Sequence, residues 1–218
     1  MISAMRTGPD ERLRDEPAGG DDPCADAAAH ELREGGVAVV AMPELPWSAL
    51  RDEVLAMQGA GRLHPAGTGR GSGRREAGLR GDATAWIDPL ECGPATAQWW
   101  AGMDALRIAL NRRLLLGMQS LEAHFACYPP GAGYARHRDR FADDDARVLS
   151  LACYLNPDWP DDAGGALRLH LHGGPRDIAP RPGFVVLFLS DEVEHEVLPA
   201  TRPRWSVAAW FRRRRDRI

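Results

Sequence analysis

The sequence predicts an α+β fold that is mainly β, with helices from the N-terminal half packed outside a C-terminal jelly roll. Two patterns carry this. Over residues 95–116 apolar side chains recur at helical spacing, with Trp99, Met103, Leu106, Leu110 and Leu114 on one stripe. From Ser120 onward the pattern changes to six short apolar runs separated by turn residues, the cadence of an antiparallel sandwich or barrel. At 218 residues the chain is long enough for one good core and too short for two independent catalytic domains. The expected division is a loosely ordered lead over residues 1–24 and one domain over 25–218, with helical support over 26–116 and the jelly roll over 119–212.

Each element has a local reason. Residues 1–24 are rich in Gly, Pro, Asp and Arg without periodicity, which argues against packing. Asp26 is a candidate cap for a helix over 27–34, and Gly35-Gly36 stops it. Residues 37–40 read as a short buried strand and 47–57 as a second helix beginning after Pro46. Residues 59–82 hold many glycines and few groups able to bury surface. A loop of that length inside a compact domain points to a functional lid over 64–82, with an inert surface excursion as the alternative. A strand over 85–87 and the helix over 95–116 follow, and the jelly-roll strands fall at 122–128, 147–155, 166–172, 183–189, 193–198 and 205–211.

Composition removes several function classes. Apolar residues at 44% and charged residues at 27% belong to an ordinary globular chain, not a fibre. No apolar run approaches the ~18 residues of a transmembrane helix, and the N-terminus lacks the apolar core of a secretory signal. The expected location is therefore cytoplasmic, without a membrane partner. Cys24, Cys92, Cys127 and Cys153 have no metal-binding spacing and read as plain thiols. A net charge of -4 argues against a surface adapted to polyanions. Arginines nevertheless cluster at Arg70, Arg74, Arg75 and Arg80, and again at 212–215 with Arg217, where a solvated tail is the plain reading.

The chemistry concentrates in His137, Asp139 and His195. Two imidazoles and a carboxylate form the facial triad of non-haem Fe(II) oxygenases, which leaves coordination positions open for substrate and dioxygen; zinc suits the same ligands. In an extended segment residues i and i+2 point the same way, so His137 and Asp139 can grip one ion while His195 arrives from a distant strand. Arg204, nine residues after His195, is an always-charged planar fork suited to a carboxylate in the same cavity. The internal rival is His170-Leu171-His172, where Leu167, Leu169 and Leu171 occupy one face and the histidines the other, the pattern of a half-exposed strand. His30, His64 and His124 have no ligand partner at useful spacing, although His64 or His124 could touch a substrate.

These residues, with their neighbours, resemble the prolyl 4-hydroxylase group of Fe(II) and 2-oxoglutarate-dependent dioxygenases, in particular the oxygen-sensing prolyl hydroxylases and their bacterial relatives. The resemblance runs from about residue 80 to 218, through Arg80-Gly81-Asp82, Trp86-Ile87, Cys127-Tyr128-Pro129, Gly133-Tyr134, Tyr154-Leu155-Asn156, Asp158-Trp159, Gly164-Gly165-Ala166, His195-Glu196-Val197 and Trp210. It implies a double-stranded β-helix with iron held by His137, Asp139 and His195. It further implies that 2-oxoglutarate chelates the iron, with its far carboxylate on Arg204 and the Tyr154 hydroxyl. Tyr128 then looks like a further co-substrate contact and Trp210 like a wall near the metal, with ordinary core packing as the alternative for both. Arg80, Asp82 and Arg147 look similar to residues that organise the lid or meet substrate; a surface salt-bridge set is their plain reading.

Such a resemblance implies oxidative decarboxylation of 2-oxoglutarate by dioxygen coupled to hydroxylation of a prolyl residue, releasing succinate and carbon dioxide, with ascorbate as an accessory. The implied partner is a protein carrying the target proline, and a cytoplasmic chain looks more like the bacterial enzymes whose substrate resembles elongation factor Tu. A monomer is the favoured state. Three other classes share the site: a small-molecule or free amino acid hydroxylase, a nucleic-acid demethylase, and a non-catalytic metal-binding β-helix. Demethylases resemble one another in a second arginine six residues after the co-substrate arginine; Trp210 stands there in this chain.

Overall fold

Side-chain alternation along three central strands organises the molecule. In β4 (Met118–Tyr128), Ala123, Phe125 and Cys127 point to one face of the sheet, whereas Glu122, His124, Ala126 and Tyr128 point to the other. In β6 (Arg147–Tyr154) and β11 (Arg204–Arg213) the same rule separates Leu149, Leu151, Cys153, Trp205, Val207, Ala209 and Phe211 from Ala152, Tyr154, Arg204, Ser206, Ala208 and Trp210. The first face is wholly apolar and is covered by helices. The second faces an interior that mixes apolar groups with charged and aromatic ones.

This computed structural model describes residues 22–67, 80–139 and 146–214. Besides the strands above, the elements are α1 (Pro23–Gly35), β1 (Val37–Ala41), α2 (Trp47–Gly59), β2 (His64–Pro65), β3 (Ala83–Trp86), α3 (Pro94–Leu114), β5 (Tyr134–His137), β7 (Leu167–Leu171), β8 (Gly174–Ile178), β9 (Phe184–Leu189) and β10 (Glu194–Val197). One antiparallel sheet has the order β1-β9-β6-β11-β4-β3-β2 and a second the order β5-β10-β7-β8. Two antiparallel sheets with strands exchanged between them are the double-stranded β-helix that the resemblance implied. Among the described residues no helix is long and apolar enough to cross a membrane.

The three helices form where the sequence placed them, and their packing explains their faces. Trp99, Met103, Leu106 and Leu110 of α3 are buried with Leu50 and Val54 of α2 and Ala28, Ala29 and Leu32 of α1 against the large sheet. Burying each such side chain stabilises by about 1.5–3 kcal/mol before entropy is counted. The cap of α1 differs from the expectation. Asp22, not Asp26, accepts a hydrogen bond from the Ala25 backbone N–H, because Pro23 opens the helix. Asp26 instead sits in the first turn and pairs with Arg113 of α3 at 2.6 Å.

Three strands were not anticipated, and all lack apolar alternation. β2 is two residues within the expected loop, paired with β3 through His64 and Thr84. β8 is a polar edge strand, and β5 reads Tyr-Ala-Arg-His with half-buried side chains. Residues 68–79 of the expected lid, with Arg70, Arg74 and Arg75, and the tail arginines beyond Arg214 lie outside the described residues. Among the cysteines, Cys127 and Cys153 are buried, with burial pushing their thiols up to about 11 and about 12. Cys24 is exposed and Cys92 half-buried.

Candidate metal and co-substrate site

The small sheet supplies the metal-binding groups. His137 ends β5 and stands directly opposite His195 in β10, while Asp139 lies two residues beyond His137. Their ligand atoms lie within 4.8 Å of one another, close enough for a single ion. Each imidazole Nε2 is 3.5 Å from a different Asp139 oxygen. The other ring nitrogens face backbone carbonyls, His137 Nδ1 at 2.8 Å from Ala135 O and His195 Nδ1 at 3.3 Å from Val193 O. A carbonyl can only accept, so both Nδ1 atoms carry the proton and both Nε2 lone pairs are presented to the same point. The Tyr134 ring stacks on His137 with centroids 3.7 Å apart.

Electrostatics keep this set in its ligating form. Burial pulls the Asp139 carboxyl upward, but His195 and His137 outweigh it and hold the group well below the usual carboxylate range. Burial pushes His195 down, towards the neutral imidazole a metal requires. Among the described residues this is the one His/Cys/Asp/Glu cluster that could hold a metal. The rival histidines are elsewhere: His170 Nε2 pairs with Glu196 at 3.0 Å on the outer face of the small sheet, as strand alternation anticipated.

Between the sheets lies a cavity of about 510 Å³ that contains the triad. At one end stands Arg204, 2% exposed. Its Nε donates to Gly165 O at 2.8 Å and its Nη1 to Ser206 Oγ at 3.2 Å, and no acidic side chain pairs with it among the described residues. The guanidinium lies 5.2 Å from the Tyr128 ring centroid and 5.1 Å from that of Tyr154. The Tyr154 hydroxyl is buried and makes no well-formed hydrogen bond. Burial pushes both tyrosines above the usual phenol range, so both remain protonated donors. An unpaired buried cation beside phenolic donors is costly unless a ligand carboxylate completes it.

Glycines make room for that arginine. Gly165 has a φ of +72°, and a Cβ there would lie 2.9 Å from the Ala200 Cβ and 3.4 Å from the Arg204 Cδ. A side chain would therefore crowd Ala200 and strain the backbone whose carbonyl accepts from Arg204 Nε.

The opposite end is built differently. The Arg147 guanidinium lies 3.6 Å above the Trp210 ring, and its Nε donates to Glu122 at 2.8 Å; Arg212 binds the other Glu122 oxygen at 2.8 Å. Arg80 donates twice to the buried Asp82, at 2.6 and 2.9 Å. Burial works against the charge on Arg80, but Asp82 raises it above the usual range. Arg80 is thus no loose surface pair: it lies 4.9 Å from the Tyr134 ring that covers His137. Trp86 and His124 complete the wall; the sequence reading named Trp86 only within the resemblance and gave neither it nor Glu122 a role in the site. The alternation of β4 held the signal, since it places Glu122, His124, Ala126 and Tyr128 on one face.

A cavity carrying a His-Asp-His set and, apart from it, a buried arginine with no acidic partner among the described residues suits a metal-dependent oxygenase better than a hydrolytic zinc site. Comparison with known proteins agrees. The 2OG-Fe(II) oxygenase superfamily model matches residues 123–212. The crystal structure of a Pseudomonas putida prolyl-4-hydroxylase is similar at 44% identity with a TM-score of 0.79, covering 88% of this chain and 100% of that one. A Trichoplax adhaerens prolyl hydroxylase in complex with a hypoxia inducible factor oxygen degradation domain peptide is similar at 27% identity and a TM-score of 0.78, covering 86% and 88%. Human Egl nine homolog 1 is 32% identical over 170 residues, 73% of this chain and 39% of that protein, so this chain spans about two fifths of its length. The chain belongs to the 2OG-Fe(II) oxygenase superfamily, in its prolyl-hydroxylase branch. Iron(II), 2-oxoglutarate and dioxygen are its cofactor and co-substrates.

Proposed function

We propose that the protein hydroxylates a prolyl residue of a cytoplasmic protein, with elongation factor Tu as the first candidate. The observation that carries the reading is Arg204: a buried guanidinium without an acid, in the cavity that also holds the His-Asp-His set. A shared cavity suits a dicarboxylate with one end at the metal and the other on the arginine. Similarity to prolyl hydroxylases across the whole fold supports proline as the target.

In this reading His137, Asp139 and His195 hold the iron. With 2-oxoglutarate and dioxygen, the iron supplies the oxidising power for hydroxylating an unactivated C–H bond, with release of succinate and carbon dioxide. Arg204 takes the far carboxylate as a forked donor, the Tyr154 hydroxyl adds a hydrogen bond, and Tyr128 closes the pocket beside them. Trp210, pinned beneath Arg147, excludes water from one side of the metal. Arg80 and Asp82 hold the wall that ends at Tyr134, and Arg147 lies where a substrate would enter. The protein thus contributes position, charge balance and dryness.

The test is mass spectrometry of purified elongation factor Tu, and of a cytoplasmic extract, after incubation with enzyme, Fe(II) and 2-oxoglutarate. A gain of one oxygen on a proline, stoichiometric with succinate, is expected. Succinate release matched by oxygen on a free metabolite, with no modified proline, would refute the protein substrate. Absence of 2-oxoglutarate binding would refute the whole reading.

A further inference from the structure

We infer that Asn156 is a positioning residue for the co-substrate: its side-chain amide stands in for a peptide group beside β11 and so sets the separation of Arg204 from Tyr154. The inference rests on the reading above, in which those two groups take the far carboxylate of 2-oxoglutarate, and adds the residue that fixes their spacing.

The need arises where β6 ends. Tyr154 is its last residue and stands opposite Ser206 of β11, so Arg204 lies beyond the last paired position of the two strands. One more backbone bond follows, from Leu155 N–H to Trp205 O at 3.1 Å. On its other side β11 is held by β4, with Arg204 opposite Tyr128. That ladder places Arg204 against Tyr128 and leaves its distance from Tyr154 to be set from the β6 side.

Asn156 supplies the tie with one side chain. Its Oδ1 accepts from Trp205 N–H at 2.7 Å and its Nδ2 donates to Trp205 O at 2.9 Å, so both backbone polar groups of Trp205 are taken as a neighbouring strand would take them. The second Nδ2 hydrogen goes to Pro180 O at 2.9 Å, in the segment leading into β9. Each polar group of the amide thus faces its complement, which fixes its orientation. Asn156 and Trp205 are both buried, so water does not take over these bonds. Alternation puts Trp205 in the helix-covered core and Arg204 on the cavity side, and a clamp on the Trp205 backbone therefore holds its immediate neighbour.

The same clamp reaches the tyrosine. Phe184 opens β9 just after the Pro180 segment and meets the Tyr154 ring edge-on, with centroids 6.1 Å apart. The Arg204 guanidinium lies 5.1 Å from that ring on another side. A forked cation and a phenolic hydroxyl share one carboxylate only when both distances and angles are right, because hydrogen bonds weaken steeply outside their range. Their separation is then a gauge of length for the acid that reaches this corner from the metal.

The experiment uses the full chain loaded with Mn(II) without oxygen, and calorimetry with 2-oxoglutarate and with 2-oxoadipate, which is one carbon longer. Wild type is compared with Asn156→Ala, Asn156→Ser, Arg204→Met and Val54→Ala, the last a stability control in the helix-covered core. Asn156→Ala should bind 2-oxoglutarate about tenfold more weakly, keep Mn(II) affinity within about twofold, and narrow the preference for 2-oxoglutarate over 2-oxoadipate by about threefold or more. Serine is polar but too short to pair with both Trp205 groups, so Asn156→Ser should behave alike and decides the matter if the alanine variant does not fold. Unchanged 2-oxoglutarate affinity, equal weakening of both acids, or the same loss in Val54→Ala would overturn the inference alone, since Asn156 would then be only structural. Full 2-oxoglutarate affinity in Arg204→Met would overturn the anchor reading itself and this inference with it.

Discussion

Replacing Arg204 by methionine separates ligand binding from folding in a single residue. Methionine fills much of the same volume, so the change removes the guanidinium and little packing. With 2-oxoglutarate present, a buried carboxylate loses its charged partner, which costs about 2–5 kcal/mol. At 1.4 kcal/mol per tenfold, the dissociation constant should rise by between about 30-fold and several thousand-fold. Without ligand the balance differs. Arg204 is 2% exposed with no acid beside it among the described residues, where its desolvation is offset by Gly165 O, Ser206 Oγ and the two tyrosine rings. Replacing a buried ion with an apolar group is then neutral or stabilising. The assay is thermal unfolding of Mn(II)-loaded protein without oxygen, with and without 2-oxoglutarate at 100 times the wild-type dissociation constant. Wild type should gain about 2.7 kcal/mol from ligand and the variant under about 1 kcal/mol, with similar ligand-free curves. A variant that binds 2-oxoglutarate like wild type, or one that loses Mn(II) as well, would refute the anchor role.

The triad and its rival differ in one pair of substitutions. His137→Ala should abolish metal-dependent succinate release, measured by coupled assay, whereas His170→Ala should leave it within about twofold because its partner is a half-exposed Glu196 on the outer face. Gly165→Ala should cost about 1–3 kcal/mol in denaturant unfolding, both for the φ of +72° and for crowding against Ala200, and should raise the 2-oxoglutarate KM by shifting the Gly165 carbonyl that accepts from Arg204 Nε. A Gly165→Ala enzyme of unchanged KM would mean that the anchor tolerates displacement. The last prediction concerns pH. His124 has an ordinary value of 6.5 and is held at about 4 in the fold, so the unfolded chain binds a proton over that window and the folded one does not. Stability attached to the neutral ring is complete above about pH 6.5 and is lost as pH falls to 4, by at most ~3 kcal/mol. Unfolding curves of His124→Gln should lack that slope; the same acid sensitivity in both proteins would contradict the burial argument.

Much of this architecture was legible because it rests on periodicity. The stripe of α3 and the alternation of β4 and β11 come from side chains that must be buried on one face, β9 is a continuous apolar run buried on both faces, and burial of that kind is written along the chain. β5 and β8 escaped because neither has a buried face: one is half-covered beside the metal set and the other is a polar edge. Pairing partners, not their own residues, made them strands. The helix cap moved from Asp26 to Asp22 for a similar reason. Both aspartates are competent caps, and the ion pair of Asp26 with Arg113, far away in sequence, is invisible locally.

The sequence by itself determined the candidate ligand types, their i and i+2 spacing, Arg204 as a candidate partner for a carboxylate and the placing of His170-Leu171-His172 on a half-exposed strand, since these follow from side-chain chemistry and strand geometry. Tertiary structure alone decided that His195 stands opposite His137, that Arg204 is buried without an acid, and that Glu122 clamps Arg147 over Trp210. It also decided that His124 is buried beside Arg80, Trp86 and Trp210 on the cavity wall. Those relations depend on register between strands tens of residues apart, and on which groups are left unpaired after packing. Neither quantity exists until the chain has folded.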